Sequence, residues 1–315
     1  MALFPLICST YSGILIHNEK RFISELAGLE IESRYRRLLE NVSKPISLSE
    51  AFHIHLIDLL RQYYFVGGMP EAVNHFVETT NGQEVRRIQE EIIKSYIMDF
   101  AKHAPASDIP KLTQLWNSIP KHLAKENKKF VFGAVKKSAR AREYENALMW
   151  LEDADLIHRA TAAGSIKSPL SYYADRACFK VYALDVGLLG AMARLPMELL
   201  SRGNRLFNEY EGAFVENFAA QQLIAHFDQP LHYWRSKGGK AELDFLCEFS
   251  GRIYPLEVKA GINPRSKSLR SYDMQFSPPV LARATLLNLK KDGKILNLPL
   301  YALSLLPDMV ARIGR

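Results

Sequence analysis

Residues 242–259 read ELDFLCEFSGRIYPLEVK, and the fold of the C-terminal third turns on them. Leu243, Phe245, Cys247 and Phe249 share one parity, and Tyr254, Leu256 and Val258 share the matching one. A period of two on both sides of Ser250-Gly251 predicts a β-hairpin with one buried face. A two-residue turn there sets Asp244 against Glu257 and Glu242 against Lys259, with all four charges on one face. Carboxylates opposed across a ladder repel each other. A chain keeps such a pair more readily with a cation between them, and oxygen ligands at close range suit Mg²⁺ or Mn²⁺. Lys259 then stands where it can orient a water or stabilise an oxyanion, as phosphodiester hydrolysis requires.

Upstream, NEYEGAFVENFAAQQLIAHF at 208–227 has helical length and composition. At about 100° per residue, Glu216 shares a face with Gly212, Ala219, Ala220, Leu223 and Phe227. An acid in such a stripe is rare unless paired or bound to metal. An Asp followed by Glu-x-Lys on a hairpin resembles the PD-(D/E)XK nuclease superfamily, whose members place an acid on the helix before the hairpin. The resemblance implies Asp244, Glu257 and Lys259 as catalytic residues, and Glu216, Asp244 and Glu257 as ligands of Mg²⁺ or Mn²⁺. Two bland alternatives stand beside it: a solvated Glu-x-Lys face, and a Glu216 paired with a Lys or Arg of its own domain.

A length of 315 residues predicts two or three domains. Hydrophobic content of 48% and charged content of 24% are ordinary for a globular protein. No run of 18 apolar residues predicts a membrane span, and the N-terminus lacks the basic region and cleavage site of a signal peptide. Cys8, Cys178 and Cys247 are odd in number and far apart, which fits a reducing cytoplasm. The net charge of +7 permits a nucleic-acid partner. Residues 121–145 concentrate that charge, with eight basic residues against three acidic.

Residues 22–41 and 47–66 show helical spacing, with Ser47 and Glu50 in a capping-box pattern. Gly67-Gly68-Met69-Pro70 breaks the second run, and Pro70 suits the first turn of the next helix. Another helix is expected over 84–103, so residues 1–104 form a helical region. From 108 to 183 the pattern is three helices followed by two strands, the order of a winged helix, assigned to 105–200. In that fold the third helix enters the major groove. Lys136, Lys137, Arg140 and Arg142 lie at its approach, suited to phosphates; a wet three-helix packing module is the alternative. Residues 201–315 supply the helix, the hairpin and later strands near 284–289 and 299–303. Arg235 and Lys267 are further candidates for nucleic-acid contact there, whereas core packing is expected of Trp234. The nine histidines form no Ser-His-Asp or Cys-His set.

Several stretches together resemble one family, the predicted bacterial and archaeal AAA-type ATPases with a C-terminal nuclease-like domain. They are YYFVGGMPEAV at 63–73, SYIMDFAKHA at 95–104 and IPKHLAKENKKFVFGAVKKSAR at 119–140, followed by YENALMWLEDADLIHRA at 144–160 and FKVYALDVGLLGAM at 179–192. EGAFVENFAAQQL at 211–223, HYWRSKGGKAELDF at 232–245, YPLEVKAGINPRSKSLRSY at 254–272 and LPLYAL at 298–303 complete the series. The resemblance implies an α+β multidomain chain: the helical end of an ATPase module, a winged helix and an α/β restriction-endonuclease-like domain. It departs at the nucleotide site, because no G-x-x-x-x-G-K-[ST] occurs. The nearest imitation, residues 261–268, has Ser266 where the second glycine belongs and a proline that removes a backbone donor. No nucleotide is therefore expected. The chain is expected to begin where an ATPase core ends, and to partner nucleic acid or an ATPase subunit rather than a membrane.

Overall fold

The computed structural model describes residues 47–124, 129–196, 204–227, 229–260 and 266–313. The helix expected over 22–41, Cys8 and residues 261–265 of the imitation phosphate loop lie outside them. The architecture is mixed α/β, with helices leading and a large mixed sheet following.

Helices α1 (Glu50–Val66), α2 (Pro70–Thr79) and α3 (Gly82–His103) open the described chain. α1 stops at Gly67, whose φ of 72° only glycine adopts cheaply. A Cβ at Gly67 would lie 2.2 Å from Asp185 Oδ1, so the corner is doubly closed to side chains. Asp185 is buried, accepts from the amides of Gly68 and Leu188, and thereby pins the corner to the middle of the chain. Pro70 takes the first turn of α2 as expected. The capping box does not form. Ser47 Oγ instead donates to the Leu289 carbonyl at 2.7 Å, and α1 starts after Ser49 without a side-chain cap.

Helices α4 (Ile109–Leu123), α5 (Phe132–Val135) and α6 (Ala141–Asp153) precede strands β1 (Ile157–Ala163) and β2 (Ala174–Ala183). α4 buries Leu112, Leu115, Trp116, Ile119 and Leu123, a spacing that makes one apolar stripe. After α7 (Val186–Met192) comes α8 (Asn204–Phe227), then β3 (Leu231–Arg235), β4 (Glu242–Phe249), β5 (Arg252–Val258) and α9 (Lys267–Phe276). Strands β6 (Leu281–Thr285), β7 (Lys290–Asp292) and β8 (Ile295–Pro299) and helix α10 (Leu306–Ile313) complete it. Of 299–303, expected to be a strand or a strand end, Pro299 ends β8, and Leu300–Leu305 winds into a 3₁₀ helix. Of 284–289, only Ala284 and Thr285 are in a strand.

All eight described strands form one sheet in the order β2-β1-β3-β4-β5-β6-β8-β7. The β1–β2 hairpin lies at one edge of that sheet. β1 pairs with β3 in parallel, so the sheet runs across residue 200, where a domain boundary is expected from sequence. One core, from Phe52 to Val310, joins the helices to one face of the sheet. A second cluster of Trp234, Leu243, Leu246, Leu269, Tyr272 and Leu281 lies under α9.

Candidate functional site

The hairpin β4–β5 has the register expected from its sequence, with Phe245 paired to Leu256, Cys247 to Tyr254 and Phe249 to Arg252. Ser250 and Gly251 have φ of 52° and 72°, the left-handed pair that a two-residue I′ turn demands. The expectation of a single buried face is corrected. Leu246 packs under α9, while Phe245 and Cys247 pack in the main core.

Leu243 shares its parity with Phe245 yet lies with Leu246 in the second cluster. The cause is a bulge. His232 pairs with Leu246 but Trp234 with Leu243, so β4 spends one more residue than β3 over that interval. Such a bulge re-aims the side chains beyond it. The four charges therefore do not share a face. Glu242 does not reach Lys259; its carboxylate lies 2.8 Å from Lys180 Nζ on β2.

Lys180 is the centre of an acidic group. Its side chain is 2% exposed, it lies 3.1 Å from Glu216 Oε1 and its ammonium stands over the Tyr233 ring. Tyr182 donates to the same Glu216 oxygen at 2.5 Å. Burial alone would lower the lysine's pKa, but Glu216, Asp244 and Glu242 together raise it above the ordinary lysine value. Burial and Glu216 push the Tyr182 phenol up as well, so it remains a donor. Glu216 is thus a buried acid on α8, as its stripe suggests, but it is paired with a lysine. Asn217 and Gln221, next along α8, bind the Ala183 backbone and the Val186 amide, locking the helix onto β2 and α7.

Asp244, within electrostatic reach of Lys180, stands at the start of the ladder toward Glu257 and Lys259. The Val258 amide donates to Asp244 Oδ2 at 2.7 Å, which holds that carboxylate at the Glu257 end of β5. Lys259 Nζ lies 3.1 Å from Glu257 Oε1 and is 43% exposed. Glu257 is 3% exposed, and its Oε2 is buried with no hydrogen-bond partner among the described residues. Arg283 pairs beside Glu257 on β6. Burial lowers the pKa of its guanidinium, and Glu257 opposes that shift.

The three-acid metal set does not assemble. Among the described residues no group of three or more His, Cys, Asp or Glu side chains is placed to hold a metal ion. Glu216 is taken by Lys180 and Tyr182. Glu257 keeps a buried Oε2 without a hydrogen-bond partner among the described residues, and Asp244 precedes the residue paired with Leu256 on the neighbouring strand.

Of the basic candidates, Lys136, Lys137, Arg140 and Arg142 are exposed around α5 and the start of α6, and none is ion-paired to a described residue. Arg235 is exposed at the end of β3, with Nη1 3.6 Å from Cys178 Sγ on the α8 side of the sheet. Lys267 is exposed on α9, which covers the opposite face. Trp234 is buried edge-on to Tyr272 and Phe276, as core packing predicts.

One constellation has no signal in sequence spacing. His232 Nδ1 lies 2.9 Å from Thr161 Oγ1, and Nε2 lies 3.3 Å from Ser171 Oγ. The ring borders a cavity of about 390 Å³ shared with Met149, Arg159 and Arg176. Burial lowers its pKa and keeps it neutral. His232 is remote in sequence from Thr161 and Ser171, and the parallel pairing of β1 with β3 sets it opposite Thr161.

Two family models match the chain. Residues 57–199 match the model described as "Domain of unknown function (DUF8612)", and residues 211–301 match "Domain of unknown function (DUF4143)". An uncharacterized protein of Mycobacterium bovis and one of Mycobacterium tuberculosis are each 40% identical to the chain over 94 residues. The match covers 29% of this chain and 20% of each relative, so the chain spans about a fifth of the curated relatives it matches. No solved structure matches it. No helix among the described residues is long and apolar enough to cross a membrane.

Proposed function

We propose that the chain is a nucleic-acid-associated protein with a winged-helix-like unit and a nuclease-like C-terminal unit, and that Asp244, Glu257 and Lys259 are the centre of a metal-dependent hydrolysis of DNA phosphodiesters. The observation that carries this reading is the buried, partnerless Oε2 of Glu257 beside Lys259, next to an Asp244 fixed by the Val258 amide. Asp244 and Glu257 would hold a Mg²⁺ or Mn²⁺ ion, which when bound would supply positive charge for the attacking water and the phosphate. Lys259, partly exposed, donates from its ammonium to the incoming oxygen or to a phosphate oxygen. The Val258 amide fixes the Asp244 carboxylate, so its orientation costs little when substrate binds. No ATP hydrolysis is assigned to the chain, which has no phosphate-loop motif.

The test is incubation with labelled single- and double-stranded DNA in Mn²⁺, in Mg²⁺ and in EDTA, with Asp244→Ala alongside. Metal-dependent cutting that disappears in the folded variant is expected. A second reading has its own support: Glu216 is satisfied by Lys180 and Tyr182. It makes the nuclease-like unit a non-catalytic DNA- or protein-binding scaffold that partners an ATPase. DNA binding without cutting, equal in both proteins, favours that reading and ends the catalytic one.

A further inference from the structure

Helix α6 changes character along its length. Tyr144, Ala147, Leu148 and Leu151 face the core. The exposed stripe runs Arg142, Asn146, Met149, Asp153. It is basic at its start, neutral in the middle and acidic at its end. Glu143 is exposed beside it. Glu145 and Glu152, 44% and 39% exposed, share the single guanidinium of Arg159. The basic residues Lys136, Lys137 and Arg140 all precede the helix.

A helix that reads bases lies in the major groove between two rows of phosphates. Seating α6 there would bring Glu143, Glu145, Glu152 and Asp153 against phosphate charge. The approach to the helix has the opposite sign. Phosphate contacts position a protein on nucleic acid but carry no sequence information.

We propose that this unit holds duplex nucleic acid through phosphates, by Lys136, Lys137, Arg140 and Arg142, and that α6 reads no bases. The ligand class is duplex nucleic acid of any sequence. The inference rests on the nucleic-acid reading above but not on cleavage.

The test is fluorescence anisotropy of the full chain, in EDTA, on short labelled duplexes of unrelated sequence over a salt series. Affinities should agree within about threefold across sequences, and binding should weaken steeply with salt. Replacing the four basic residues by alanine should cost at least about tenfold and flatten the log–log salt slope by about 3 to 4. Asn146→Ala with Met149→Ala should change affinity less than about twofold, because neither side chain contacts phosphate. A preference of more than about tenfold for one sequence, lost in Asn146→Ala, overturns the inference while leaving nucleic-acid binding intact. So does wild-type affinity in the fourfold variant, which moves the contact elsewhere. Failure of the wild-type chain to bind any duplex removes the nucleic-acid reading itself.

Discussion

Lys180 stands inside the apolar run of β2 with three carboxylates around its ammonium. Removing one partner of a buried ion pair strands the other, at about 3–5 kcal/mol. Lys180→Met should therefore cost about 3–5 kcal/mol in urea unfolding. Adding Glu216→Leu should recover a substantial part, because the two changes are coupled through one contact. An additive double variant would show that Glu216 draws its stability elsewhere. The unusual burial of Glu216 was legible in its stripe; its partner was not, because β2 belongs to a different stretch of sequence. A lysine flanked by Phe179 and Val181 was itself a signal, since lysines are almost never fully buried unless paired. His158 gives a second prediction at this scale. Burial lowers its pKa to about 4, below the unfolded value of 6.5. The unfolded chain then binds the proton more readily, so stability is full above about pH 6.5 and falls as pH drops toward about 4. A thermal midpoint that declines over this window, and declines less in His158→Gln, checks it.

The hairpin β4–β5 is the element whose sequence said most. Alternation and the Ser-Gly pair were enough for its register, because a one-residue slip would turn every side chain to the wrong face. The bulge in β4 was not legible. Its cause is the pairing with β3, a strand outside the hairpin, and no local pattern reports it. Glu242 turns to Lys180 rather than to Lys259, which pairs with Glu257 instead. The capping box failed for a similar reason: Ser47 bonds to Leu289, far away in sequence. The turn supplies the prediction at this scale. With φ of 72° at Gly251, Gly251→Ala should destabilise by about 1–2 kcal/mol in the same urea assay. No measurable cost would mean that the turn relaxes to another type.

Across the whole molecule, sequence patterns separated a helical region, a three-helix unit with a hairpin and an α/β unit, and among the described residues most of the expected elements are present. Their union was not legible, because it depends on the parallel contact of β1 with β3 and on α1 bonding to the C-terminal region through His53 and Tyr301. One core spanning these parts predicts one cooperative transition. Trp116 and Trp150 report the helical side and Trp234 the second cluster. Their fluorescence and the far-UV signal should change together in urea. Two separated transitions would show that the parts fold independently.

Manganese titration of the purified chain, followed by calorimetry, tests the central claim that Asp244 and Glu257 form a cation-holding centre. The account predicts one Mn²⁺ per chain, a thermal midpoint that rises with the metal by linkage, and loss of both in a folded Glu257→Gln variant. A folded wild-type chain that takes up no Mn²⁺, or one that binds it equally well after Glu257→Gln, contradicts the account.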